Sequence, residues 1–398
     1  MDPSAQSGTR VLRLGVAGLG RAFSVMLPTL TRDPRVTLVA AADPRLEARQ
    51  RFESNFGGKP YETVEALCGD PNVEAVYVAS PHQHHAEHAH LAAGAGKHVL
   101  VEKPIALTLA DAERMIAAAR SAHVHLIVGH SHSFDAPVLR TRDLIASGAY
   151  GAVRMITALN YTDFIYRPRR PEELDTVQGG GALFNQAPHQ VDVVRLLGGG
   201  RVRSVRATTG AWDPARPTEG AYAALLAFES GAFASLSYNG YGHFDSDEFM
   251  GWVGEMGQQK SASARTRLRF DDAAAEAAAK GARNYGGPGW QPPQPPQPPE
   301  LLHQHFGPVI VSCERADLRP LPSGVMIYEN GATRLDPLAK PDIPRVEVMD
   351  ELYDAVVHAR APLHDGAWAM ATLEVCLAML QSAREGRDIA LQHQVALR

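Results

Sequence analysis

Short apolar runs recur through the first third of the chain, at residues 11–17, 36–42, 75–79, around 99 and at 125–129. Segments of helical length separate them, about 21–31, 44–55, 85–95 and 109–122. Runs that are apolar at nearly every position must be buried on both faces, which is the situation of strands in a parallel sheet sandwiched between helices. Alternating strands and helices with short links predict such a sheet, a doubly wound α/β domain closing near residue 130. The division expected from this is 1–130 and 131–398.

The first run ends in Gly18-Leu19-Gly20-Arg21-Ala22-Phe23. In a strand, glycine turn, helix sequence, the first glycine permits a tight turn. The second lets the backbone approach a pyrophosphate at the helix N-terminus. The usual pattern would place a small residue where Phe23 stands, so a plain turn without nucleotide remains the alternative at this point. The second run ends in Asp43, about 20 residues further on, where a carboxylate meets the adenosine ribose hydroxyls. Arg45 and Arg49 follow, and a guanidinium there could bind a 2′-phosphate instead. The aspartate is fixed by its strand end, whereas the arginines can point into solvent. NAD is therefore the expected cofactor, with NADP tolerated.

The fourth run leads into Glu102-Lys103-Pro104. Lys103 then sits at the carboxyl end of a strand, where open α/β sheets bind ligands. A partly desolvated lysine beside Glu102 can move a proton near neutral pH. After the third run, Ser80-Pro81-His82-Gln83-His84-His85 opens a helix, and Ser80, Pro81, His82 and His85 are expected to pack on the cofactor. Histidines 82, 84, 85, 88 and 90 with Glu87 resemble a metal cluster, but their spacing gives no closed ligation and no metal is expected.

The second half changes character. Residues 153–160, 202–209, 222–228 and 232–238 read as longer strands, and 221–240 alternate about a turn at Gly231. This predicts an antiparallel sheet in an α+β domain. Gly179-Gly180-Gly181 would bring a loop close to something, and the helix after it carries His189 and Asp192 on one face. Residues 257–300 hold an alanine-rich helix candidate and then a proline run, a stiff excursion or linker. Near the C-terminus, about 365–385, Asp365 as N-cap, an apolar face at Trp368, Val375 and Met379, and Gly386 as a stop predict a core helix.

A net charge of -5 gives no nucleic-acid footprint. No run approaches the ~20 apolar residues of a membrane span. The start is polar, without a secretory pattern. Cys68, Cys313 and Cys376 are widely spaced and odd in number, which fits free thiols in the cytoplasm.

Taken in order, G-L-G-R-A, S-P-x-x-x-H, V-E-K-P and G-G-G-x-x-x-N-Q-x-x-H-x-x-D resemble the Gfo/Idh/MocA family over nearly the full chain. The resemblance implies an α/β Rossmann domain followed by an α+β domain with a large, mostly antiparallel open sheet. It implies an NAD(P)-dependent oxidoreductase forming homodimers or homotetramers through that sheet. It also implies that Lys103 is catalytic, contacting nicotinamide and substrate, and that His189 handles a proton or orients substrate. Many members carry aspartate four residues before that histidine; Asn185 stands here, and an amide cannot relay a proton.

The stretches Tyr161–Pro171, Asn185–Asp192 and Ile310–Arg315 resemble, more narrowly, the branch acting on 4,5-dihydro-4,5-dihydroxyphthalate. This would place Tyr166, Arg167, Arg169, Arg170, Asn185 and Asp192 at the substrate. Arg167, Arg169 and Arg170 suit a dicarboxylate because guanidinium forks bind carboxylates bidentately; a solvated basic loop is the alternative. The expected reaction is oxidation of a secondary alcohol on a carboxylated aromatic cis-dihydrodiol. A sugar or inositol dehydrogenase and a non-catalytic dinucleotide-binding regulator remain alternatives.

Overall fold

The computed structural model describes residues 10–129, 131–262, 267–291 and 301–398. The proline run beyond Gln291 lies outside the described residues.

The first domain alternates β1 (Leu12–Ala17), α1 (Arg21–Arg32), β2 (Val36–Ala42), α2 (Leu46–Phe56), β3 (Lys59–Tyr61), α3 (Val64–Cys68), β4 (Ala75–Val78), α4 (His85–Gly94), β5 (His98–Val101), α5 (Leu109–Ser121) and β6 (Leu126–Val128). Its six strands lie in the order β3-β2-β1-β4-β5-β6, all parallel. Strand β4 is buried at every position, as a central strand with helices on both faces must be.

The second domain contains α6 (Ala136–Ala146), β7 (Val153–Tyr161), α7 (Gly181–Asn185), α8 (Ala187–Gly198), β8 (Val202–Gly210), β9 (Ala221–Phe228), β10 (Phe233–Asn239), α9 (Ala273–Ala282), β11 (Val309–Cys313), β12 (Ala316–Leu321), β13 (Gly324–Glu329), β14 (Ala332–Pro337), α10 (Val346–His358), α11 (Gly366–Glu385) and β15 (Ile389–Ala390). Its nine-stranded sheet runs β14-β13-β12-β11-β7-β10-β9-β8-β15. All its neighbours are antiparallel except β7 and β10. Helix α8 is buried along its whole length, and its Arg195 guanidinium lies 4.0 Å over the Trp368 ring of α11. Helix α11 starts where expected, with Asp365 accepting from the Trp368 N–H at 2.9 Å. It stops at Gly386 with φ 64°.

The boundary near residue 130 is crossed by two later segments. Val348, Met349, Leu352 and Tyr353 of α10, together with Tyr285, complete the core formed by Leu12, Leu14, Phe23 and Phe52. An apolar helix face must be buried, and here the nearest uncovered surface is the first domain. The β12–β14 strands, the short β3 and β15 were also not anticipated. Among the described residues no helix is long and apolar enough to cross a membrane.

Candidate active site

Strand order reverses between β1 and β4, so the loops after β1, β4 and β5 meet at one crevice. Gly18 has φ +96°, and a Cβ there would lie 2.9 Å from the Ser80 backbone, so the first two loops touch. A Cβ on Gly20, by contrast, would meet nothing within 4 Å. Gly20 N-caps α1 without any side-chain cap, leaving the first helical N–H groups turned toward that open space. Arg21 stands beside it. Loss of water, then the charges of Arg283 and Arg167, lower its pKa. An open glycine, an uncapped helix start and neighbouring guanidinium groups fit a dinucleotide pyrophosphate. Ala22 is half-buried behind them.

Phe23 departs from expectation. It is fully buried and packs edge-on against Tyr285, with ring centroids 5.1 Å apart. Only its backbone is available to a cofactor. The large side chain fills the space that the returning Tyr285 segment closes.

Asp43 ends β2 almost completely buried. Its Oδ2 accepts from the Leu19 N–H at 2.8 Å, and its Oδ1 accepts from the Arg45 N–H at 2.9 Å and Nε at 3.0 Å. The carboxylate therefore braces the glycine turn. Arg45 does not point into solvent: Nη2 donates to the Leu19 carbonyl at 2.9 Å and Nη1 to the Tyr285 carbonyl at 3.1 Å. Arg49 folds back as well, onto the carbonyls of Asp43 and Pro44.

His85 is fully buried, with Nε2 2.9 Å from the Ser80 carbonyl and Nδ1 2.9 Å from that of Pro104. Burial pushes its pKa down to about 4, so the ring is neutral and its single N–H donates to one of these two carbonyls, with the ring packed between the β4 and β5 loops. Pro81 is half-buried at the same turn. His82 Nδ1 lies 3.4 Å from the Gly179 carbonyl, and its pKa falls through burial and the charges of His85 and Lys103. On the outer side, His84, Glu87 and His88 bring potential ligand atoms within 4.8 Å of one another.

Lys103 follows β5. Its Nζ donates to the Asn185 carbonyl at 2.9 Å. Burial lowers its pKa, opposed by Glu102 and Glu255. Glu102 accepts from the Tyr77 hydroxyl at 2.5 Å. The Asn185 amide donates to the carbonyls of Gly179 at 3.1 Å and Gly181 at 2.8 Å. The triple glycine thus packs a tight loop onto itself. Gly181, at φ +76°, has no room for a Cβ beside Glu219 and Thr218.

His189 projects from α8 onto the rings of His132, at 4.9 Å, and Phe306, at 5.0 Å. His132 Nδ1 contacts Asp135 at 2.7 Å and Nε2 contacts Glu255 at 3.4 Å. The two carboxylates overcome burial and raise its pKa to about 9. Glu255 falls to about 2 despite burial, through His132, Arg167 and His305.

The three arginines diverge. Arg167 pairs with Asp163 at 3.0 Å and, against burial, is held protonated by Glu255 and Asp163. Arg169 lies 3.7 Å over the Phe164 ring. Its Nε has no partner among the described residues, and burial with nearby Arg167 and Arg216 lowers its pKa to about 10. Arg170 is partly exposed and pairs with Glu172 at 2.9 Å. Tyr166 is spent as well: its hydroxyl donates to Asp213 at 3.0 Å and Arg267 covers its ring. Asp192 accepts from Ser133, from Trp368 Nε1 at 2.6 Å and from Thr372 at 2.7 Å. It joins α8 to α11 beside a cavity that Lys103 also lines.

His132 and Glu255 were missed in the sequence. His132 could have been found, because it follows β6 at the same sheet edge as Lys103; Glu255 lies in an irregular segment with no local signal.

Residues 12–130 match the oxidoreductase family with an NAD-binding Rossmann fold, and residues 138–258 match the GFO/IDH/MocA C-terminal domain. The chain is 50% identical over 379 residues to the 1-carboxy-3-chloro-3,4-dihydroxycyclohexa-1,5-diene dehydrogenase of Comamonas testosteroni, covering 94% of this chain and 95% of that one. It is 30% identical over 193 residues to human trans-1,2-dihydrobenzene-1,2-diol dehydrogenase, 48% of this chain and 57% of the relative. A crystal structure from Bordetella bronchiseptica RB50 superposes with TM-score 0.88 at 41% identity, covering 96% of this chain and 100% of that chain. The chain belongs to the Gfo/Idh/MocA family of NAD-binding oxidoreductases.

Proposed function

We propose that this enzyme oxidises a carboxylated ring cis-diol, of the 4,5-dihydro-4,5-dihydroxyphthalate type, to the corresponding catechol, in aromatic catabolism in the cytoplasm. The observation that carries the reading is Lys103: a buried amine held by the Asn185 carbonyl at the carboxyl end of β5, its pKa lowered by burial and by the charge of Arg169. Neutral Lys103 takes the hydroxyl proton, and His189 orients the same oxygen. Bound NAD supplies the hydride acceptor. Gly18, Gly20, the Arg21–Phe23 backbone, Ser80, Pro81 and His82 line its place, while His85 and Glu102 hold the loops. Arg167 and Arg169 take the substrate carboxylate, Arg169 with an Nε otherwise unmatched. The similarity to the Comamonas testosteroni enzyme supports this class of substrate.

Asp43 favours NAD over NADP, since a buried carboxylate at the end of β2 repels a 2′-phosphate and Arg45 is already engaged. The test is a spectrophotometric scan for reduced nicotinamide across carboxylated cis-dihydrodiols and polyols, with each cofactor. Turnover of polyols alone replaces the substrate reading, and a preference for NADP overturns the cofactor reading.

The enzyme works as a homo-oligomer through its large sheet. Met155, Leu225, Phe233, Ile310, Tyr328 and Leu335 are exposed on the side away from the helices, and Phe233 is paired with Met155 across neighbouring strands. Large apolar side chains left exposed among polar ones on a broad open sheet support an interface there.

A further inference from the structure

Glu255 sits in a turn closed by the Gly254 N–H to Gln258 carbonyl bond at 2.7 Å and tied to the following segment by His305 N–H. Its backbone is thus fixed on both sides. Its carboxylate differs from the other members of the His132 cluster in one respect. His132 and Asp135 are almost wholly buried, whereas the Glu255 side chain keeps 28% of its surface exposed. Oε1 is engaged by His132, while Oε2 has no hydrogen-bond partner among the described residues. The charge of Glu255 reaches Lys103, Arg167 and Tyr238. An anchored, partly exposed anion with a further acceptor oxygen therefore lies beside His132, whose ring packs on His189 at 4.9 Å, within reach of the charge of Lys103.

A substrate with a single hydroxyl needs Lys103 and His189 alone. A vicinal diol brings a second O–H to the same cleft, and that donor requires an acceptor once water is excluded. Resting on the substrate reading above, we propose that Glu255 accepts the hydrogen bond of the second hydroxyl and makes this a vicinal-diol site, with His132 and Asp135 as positioning residues that hold it in place. The arrangement also discriminates. An analogue lacking the second hydroxyl leaves a desolvated carboxylate unmatched, which rejects it more strongly than a missing apolar contact could.

The experiment compares kcat/KM for a carboxylated ring cis-diol and for the mono-alcohol lacking the neighbouring hydroxyl, in the native full-length enzyme and in E255Q. Any change that E255Q makes at Lys103 affects both substrates, so the diol to mono-alcohol ratio isolates the second hydroxyl. A hydrogen bond to a charged group predicts that this ratio falls about 10-fold or more. Equal losses on both substrates, or no loss on either, overturn the proposal.

H132Q provides a second route if E255Q fails to fold. It keeps a donor toward Glu255 and removes the cation. The groups facing Glu255 are His132, His305, Arg167, Lys103, Arg345 and Tyr238. Without the imidazolium, Glu255 protonates at higher pH. The ratio should then fall toward acid in H132Q while staying flat in the native enzyme; a flat ratio in both overturns the positioning role. If the native enzyme accepts polyols and no carboxylated diol, the substrate reading fails by itself. The same ratio, taken between a vicinal polyol and its deoxy analogue, still decides the role of Glu255.

Discussion

Restoring the family's aspartate at Asn185 should harm this enzyme. The Asn185 amide nitrogen donates to two carbonyls, Gly179 and Gly181. A carboxylate offers no donor there and sets two oxygens against two more. Losing two neutral hydrogen bonds at about 0.5–1.5 kcal/mol each predicts a stability loss of roughly 1–3 kcal/mol before any repulsion. The new charge also stands near Lys103, whose Nζ is 2.9 Å from the Asn185 carbonyl. An opposite charge at such range raises an amine's pKa by about 1–3 units. Lys103 accepts a proton only when neutral, so the acid limb of kcat/KM moves to higher pH. Each unit costs about tenfold in rate at pH values below the limb. Thermal denaturation and a pH profile of kcat/KM for N185D measure both effects. N185A is the control: it loses the two bonds without adding charge, so its melting temperature falls but its acid limb does not rise. An unchanged melting temperature with an acid limb that stays put or moves down in N185D refutes the reasoning.

K103A should lower kcat by about 10²–10⁴ while NAD still binds, measured by turnover and by nicotinamide fluorescence titration. R167A should raise KM for a carboxylated substrate by about tenfold or more, the worth of a charged hydrogen bond. R170A should leave it unchanged, since Arg170 is paired outward with Glu172; steady-state kinetics on both separate the two. F233E places a charge beside Met155 on the exposed face of the large sheet, and sedimentation should show smaller assemblies than the native chain forms.

The first domain was legible because its signal is local. A β-strand buried on both faces is apolar at nearly every position, and β1, β2, β4 and β5 announce themselves that way. Capping is local too, which is why Asp365 and Gly386 mark the ends of α11 correctly. What a side chain meets across the fold is not local. Tyr166, Arg169, Arg170 and Asp192 all carry groups suited to a polar substrate, yet chemistry alone does not reveal which have already been claimed. Asp213 claims Tyr166 from 47 residues away, and Trp368 claims Asp192 from 176 residues away. The same reasoning applies to Phe23, whose partner Tyr285 arrives from an excursion with no pattern of its own.

The separation between domains is also less complete in chemistry than in sequence. Lys103 belongs to the first domain, but the carbonyl that holds its amine belongs to Asn185 of the second, and Glu255 of the second domain opposes its loss of charge. A lysine at an exposed strand end would stay hydrated and protonated at neutral pH. Burial beneath the Asn185 carbonyl lowers the pKa of Lys103, as the proposed role of base requires, and the segment before Asn185 is in turn tied to the first domain, through Gln83 Nε2 to the Gln178 carbonyl at 2.7 Å. The glycine turn can engage a pyrophosphate with the first domain's own backbone. The proposed proton transfer cannot be assembled there alone, because Lys103 is held by Asn185, 82 positions further along the chain, and its charge is opposed or favoured by groups of both domains.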